Sequence, residues 1–195
     1  NFRHPSMTSL AITDGLLCLI AAAAAVTNRL PLAFRMGSAL LAVTACLGVL
    51  RFSDLLPLPT LHSFFSNFSS SSAFLLMAVS SVWTSSAGAT RAKYASILLI
   101  VSGAIGFVMV DLFELTRFGQ VVAVLCVLQI IVYSARHRLL SALVGAIALE
   151  SGFILFATGQ RVPNLLQPGD FLHLLTAAGL ALLVWYHRRA PHASS

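Results

Sequence analysis

The sequence predicts an all-α polytopic membrane protein, a single seven-transmembrane-helix bundle with its N-terminus outside and its C-terminus in the cytoplasm. Three observations lead there. Of 195 residues, 58% are hydrophobic and only 9% charged, where a soluble domain carries about 25% charged residues. The mean hydropathy is +0.90. The chain also divides into seven apolar stretches, each near the roughly 20 residues that a spanning helix needs, with no loop long enough to hold a soluble domain. The alternating strands of an outer-membrane barrel are absent. Twelve Lys+Arg and six Asp+Glu are too few for a nucleic-acid patch or a disordered tail. The net charge of +6 therefore reports topology and lipid contact, and no nucleic-acid partner is expected.

The stretches fall at 8–27, 32–50, 60–83, 94–113, 118–134, 139–158 and 170–187. Asn28, Arg29 and Pro31 separate the first two, and Pro57 and Pro59 precede the third. Ser85 to Arg91, with Gly88, divides the third from the fourth; Arg136, His137 and Arg138 divide the fifth from the sixth. Pro163, Pro168 and Gly169 lead into the seventh, as breakers should. Residues 1–6, ahead of Met7, read as a vector-derived remnant. That leaves 7–195 as the transmembrane domain and sets His4 aside. The first stretch, with Ala21 to Ala25, has some features of a signal peptide, but without a basic leader after Met7 it reads as an uncleaved helix. Cys18, Cys46 and Cys126 sit inside apolar runs without metal-ligand spacing, and read as small buried hydrophobes.

Basic residues orient the bundle. Arg29, Arg35, Arg91, Lys93, Arg136, Arg138, Arg188 and Arg189 fall on one side; Arg51, Arg117, Arg161 and Arg3 of the remnant fall on the other. The richer side is read as cytoplasmic, and a bacterial inner membrane is the expected location. All six acids then lie in the outer half. Asp14 is about two turns into the first helix, Asp54 is in the second loop, and Asp111 and Glu114 close the fourth helix. Glu150 is in the outer half of the sixth, and Asp170 opens the seventh. His62 and His173 join them, while His137 and His187 read as interfacial side chains among arginines.

Ionisable groups at membrane depth are costly and face a bundle interior or a water-filled cavity. Asp170 and His173 share a helix face at i, i+3. His62, Ser66, Asn67, Ser69 and Ser70 form a polar stripe on the third helix. Imidazoles, carboxylates and hydroxyls are the set a zinc-type hydrolytic site requires. His62, Asp170 and His173 are the candidate metal ligands, with Glu150, Asp14 or Asp111 as the candidate base. Plainer readings stand beside these. Asp170 is placed to N-cap its helix, and Asp14 to pair with Arg51. Asp111 and Glu114 are placed to pair with Arg117, and Ser69 to Ser72 to pack helices closely. Gly103, Gly106, Ser141, Gly145 and Ala178-Gly179 read as packing faces. Asn67-Phe68-Ser69 matches a glycosylation sequon but lies within a helix. Lys93 is the only lysine and sits at a loop end, which excludes a retinal Schiff base in the last helix.

Seven helices, an outside N-terminus and histidines near one face of the third and seventh helices resemble the CREST superfamily, the alkaline-ceramidase and adiponectin-receptor-like seven-helix membrane hydrolases. That family places a Ser and a His around its second helix, an Asp near its third and an H-x-x-x-H pair on its seventh, all binding zinc. Here the seventh stretch reads Asp170-Phe171-Leu172-His173, with Ala177 where the second histidine would stand. His62 and Ser66 are the counterparts of the family's other His and Ser, in reversed order. The resemblance implies hydrolysis of a lipid amide or related bond, with membrane lipids as surroundings and a lipid-like substrate. The alternative is a non-enzymatic receptor, transporter or assembly subunit using the acidic/His cluster for a ligand or for protons. A haem protein with His62 and His173 as axial ligands is the third reading.

Overall fold

The computed structural model describes residues 5–56, 58–163 and 165–189, with the side chains of 5–7 excepted. Arg3, His4 and Pro57, used in the expectations above, lie outside the described residues. Eight helices follow in order: α1 (Pro5–Val26), α2 (Leu32–Phe52), α3 (Pro59–Val82), α4 (Ala87–Thr90), α5 (Ala92–Asp111), α6 (Phe118–Arg136), α7 (Leu140–Ala157) and α8 (Pro168–Arg189). The seven long ones match the seven apolar stretches, with ends displaced by three residues at most. The single-turn α4 lies in a segment the sequence reading leaves as a loop. Ser86 starts it, its Oγ accepting from the Ala89 N–H at 3.2 Å. Among the described residues the only extended pairing is an isolated bridge between Val162 and Leu166.

The helix ends follow local chemistry. Pro59 and Pro168 occupy first helical positions, where proline loses no intrahelical hydrogen bond. α7 closes on Gly159, whose φ of 67° is the left-handed conformation glycine favours, and the Gln160 N–H returns to the Leu155 carbonyl at 3.0 Å. That is the Schellman pattern of helix termination. α6 ends the same way, with Arg138 at φ 56° and the Leu139 N–H on the Ser134 carbonyl at 2.9 Å.

Short connections make consecutive long helices antiparallel, so the bundle has two ends. α1, α2, α3, α6, α7 and α8 form a closed ring, each packed on the next, with α8 returning to α1. α5 lies outside the ring against α3. Small residues set these contacts. A Cβ at Gly106 of α5 would overlap the Ser71 hydroxyl of α3, and one at Gly119 of α6 would overlap the Ser70 hydroxyl. Gly145 of α7 and Gly179 of α8 pass so closely that a Cβ on either would meet the other's carbonyl at 2.9 or 2.6 Å. Side-chain hydroxyls bond across the gaps, as when Ser72 Oγ donates to the Leu99 carbonyl at 3.1 Å. The expected packing roles of these glycines and serines are met. The core holds Phe34, Leu76, Met77, Ile130, Leu149, Leu180 and Leu183, all essentially inaccessible.

Among the described residues, six helices are long and apolar enough to cross a membrane: Thr8–Val26 within α1, and α2, α5, α6, α7 and α8. Large apolar side chains cover their outward faces, among them Ile12, Leu19, Ile100, Leu125 and Ile154, each at least half exposed. α3 is long enough, at 24 residues, but its eight serines keep it outside that group. Cys46 is exposed on the outside, contrary to the expectation of burial, whereas Cys126 is buried and Cys18 half-buried.

Candidate functional site

A cavity of about 150 Å³ sits inside the ring, in the half where α1 starts. Every ring helix contributes to its wall: Asp14 from α1, Thr44 from α2, His62, Ser66 and Asn67 from α3, Gln120 from α6, Phe156 from α7 and His173 from α8. Phe74 lines it as well, meeting Phe153 edge-on at 5.1 Å between ring centroids. Toward the far end His187 is wedged against Phe34, with ring centroids 4.9 Å apart, and lies 3.3 Å from Ser81 Oγ. His187 is only 4% exposed, which corrects its reading as an interfacial side chain. His137 is exposed, its ring tilted at 40° to that of Tyr133 with centroids 4.4 Å apart.

Asp14 is the one acidic side chain among the described residues of the wall. Its carboxylate is seated where α2 has no side chain, since a Cβ at Gly48 would overlap the carboxylate. Asp14 Oδ1 lies 3.2 Å from His173 Nδ1. This is the only contact within 4 Å between a carboxylate and a basic side chain among the described residues, so neither Asp14 with Arg51 nor Asp111 or Glu114 with Arg117 forms the ion pair weighed from the sequence. Asp14 Oδ2 is buried and has no hydrogen-bond partner. A buried carboxylate oxygen without a partner is expensive.

The two cavity histidines are held in opposite tautomers. Arg51 Nη1 lies 3.1 Å from His62 Nδ1. A guanidinium has donors only, so His62 Nδ1 accepts and the neutral ring carries its proton on Nε2. At His173 the Asp14 carboxyl faces Nδ1, with Thr13 Oγ1 3.5 Å from the same nitrogen; opposite an ionised Asp14 that nitrogen carries the proton and Nε2 is left as an acceptor. One imidazole thus brings a donor to the cavity wall and the other an acceptor. Phe52 packs edge-on against His62 at 5.7 Å and beneath Arg51 at 5.2 Å, steadying the rim.

Asp170 is used elsewhere. Fully buried, it accepts from Ser9 Oγ at 2.8 Å, Thr13 Oγ1 at 2.9 Å and the backbone N–H of Gln167 at 2.7 Å. It is the third residue of α8, reaching back to the preceding N–H as the acidic member of a capping box does, which corrects the expected N-cap position. The same carboxylate fastens α8 to α1. It does not line the cavity.

α3 and α8 are not ring neighbours. α3 packs on α2, α5 and α6, and α8 packs on α1 and α7, so His62 and His173 face the cavity from across the bundle. Ser66 and Asp14 share that cavity. Glu150 does not line it; one of its carboxyl oxygens is buried without a partner. Asp111 is exposed at the end of α5. Among the described residues no three His, Cys, Asp or Glu side chains are grouped to hold a metal ion. Gly48, Thr44, Gln120 and the Ser9–Thr13 pair had no place among the sequence candidates. Only the last carried a signal, two hydroxyls at i, i+4 beside Asp14.

No family model, curated protein or solved structure matches the chain.

Proposed function

We propose that the protein is a seven-span integral membrane protein that binds a small polar ligand in its ring cavity, as a receptor or transporter. The observation that carries this reading is the polar wall built around the Asp14–His173 pair, with one donor and one acceptor imidazole. A metal-dependent hydrolase needs acceptor nitrogens on both rings and a free carboxylate. Here Arg51 commits His62 to the N–H form, and three donors occupy Asp170. The same argument weighs against haem, which needs two ligating imidazoles.

The seventh span is α3. Its serines at 69, 71, 72, 80 and 81 are buried, so their polarity faces protein, and at 1.5 Å per residue its length is about 36 Å. Eight of the described Lys and Arg lie at the end where α1 finishes and three at the other. That bias supports an outside N-terminus and a cavity opening outward. Screening small polar solutes for thermal stabilisation of the purified protein tests the ligand reading. Stabilisation lost on His173→Ala supports it, and no stabilisation by any solute class counts against it.

The hydrolase remains as a second reading on one observation: Asp14 Oδ1 against His173 Nδ1 is how a carboxylate holds an imidazole as general base. Elemental analysis separates the two. Stoichiometric zinc that disappears in a His62→Ala, His173→Ala double variant would favour the hydrolase; metal-free protein that still binds a solute favours the receptor or transporter.

A further inference from the structure

Resting on the ligand-binding reading above, we infer that the cavity is a site for a small organic ammonium ion, a protonated primary amine with a short alkyl group. Among the described residues, Asp14 is the only Asp, Glu, Lys or Arg side chain lining the cavity. Its Oδ2 is an acceptor without a partner in a residue only 2% exposed. His173 Nε2 is a second acceptor, set by the bond at Nδ1. A group that brings N–H donors and one positive charge favours the ionised form of Asp14, and the ionised carboxylate with two acceptors in a low-dielectric pocket matches it in turn.

Other occupants fit less well. Hard cations such as Na⁺ or Ca²⁺ take oxygen ligands, and half of this acceptor pair is an imidazole nitrogen. Zinc takes three or four protein ligands, and the described residues group no such set. An anion would be seated against the Asp14 carboxylate. A neutral alcohol leaves the charge unbalanced. The apolar part of the wall, Leu17, Leu41, Phe74 and Phe153, takes the alkyl group, and about 150 Å³ has room for two or three carbon atoms with residual water. Gly48 permits the arrangement, since any side chain there would occupy the volume of the carboxylate.

The test uses ethylammonium, with isosteric ethanol, sodium chloride and sodium acetate as controls. Binding is read on the purified full chain by calorimetry and by the rate at which a Ser66→Cys variant, on a background lacking the native cysteines, reacts with a small thiol reagent. Ethylammonium is expected to bind saturably and to slow modification several-fold, and the controls to do neither. Asp14→Asn, which keeps the shape and a hydrogen bond to His173, is expected to weaken binding tenfold or more. The protection assay keeps Asp14 and is independent of whether that variant folds. Equal protection by sodium or ethanol would overturn the ammonium assignment, as would undiminished binding in folded Asp14→Asn. A Ser66→Cys thiol that reacts but that no probe protects overturns this inference alone. A thiol at that position that no reagent reaches from either side overturns the ligand-binding reading as well.

Discussion

Gly48 shows how one residue without a side chain determines where a charge can sit. It lies on α2 where the Asp14 carboxylate of α1 crosses, so Gly48→Ala must displace either the carboxylate or the helix. Overpacking of this kind costs about 1–3 kcal/mol, and the melting temperature of the purified protein is expected to fall accordingly, with ligand binding lost. Ser9→Ala is expected to act differently. It removes one of three donors to a buried carboxylate, Asp170, at a cost of about 1–3 kcal/mol, while leaving the cavity-lining side chains in place. Stability should drop and binding should persist; loss of binding in a folded Ser9→Ala protein would contradict the separation of latch from site. Asp14 was legible in the sequence because a carboxylate amid apolar residues has to face an interior. Gly48 was not, because nothing in a glycine records which helix will pass over it. Asp170 was read as a site residue for a related reason: its three partners are local or on α1, and sequence spacing does not show that they use up its acceptor capacity.

The seven long helices were visible as apolar runs because membrane-length segments need continuous hydrophobicity, and their ends were marked by prolines, glycines and arginines. Their arrangement was not visible. Hydropathy says that α3 and α8 exist, but ring order comes from which small residues let backbones approach, and several helices carry such residues. The ring places α3 beside α2, α5 and α6, so the expected adjacency of the two histidine-bearing helices gives way to apposition across a cavity. The packing faces differ in consequence. Gly145 and Gly179 hold α7 to α8 inside the ring, whereas Gly106 holds the outlying α5 to α3. Gly145→Leu is therefore expected to prevent recovery of folded protein. Gly106→Leu is expected to lower the melting temperature yet leave solute binding in place, as read by calorimetry.

At the scale of the whole molecule, acids and bases are segregated along the bundle axis. All six acids lie in the half holding the cavity, and eight of the described basic residues lie at the other end. This asymmetry was fully legible, because it needs only the order of spans and the charge of the loops. A cysteine placed at Ser85, in the loop between α3 and α4, is expected to react with an impermeant thiol reagent only from the cytoplasmic side. The cavity wall was less legible, since Phe74 and Phe153 line it and nothing in an aromatic residue within an apolar run marks it as lining a cavity.

The proposal that the polar cavity opens outward is tested most directly by the sidedness of a single cysteine at position 66 in membrane vesicles, with Cys18, Cys46 and Cys126 replaced by alanine. Ser66 lines the cavity one turn deeper than His62. A small impermeant reagent is expected to modify this cysteine in right-side-out vesicles and to leave it unmodified in inside-out vesicles. Modification from the cytoplasmic side alone, or from neither side, would contradict an outward-opening cavity.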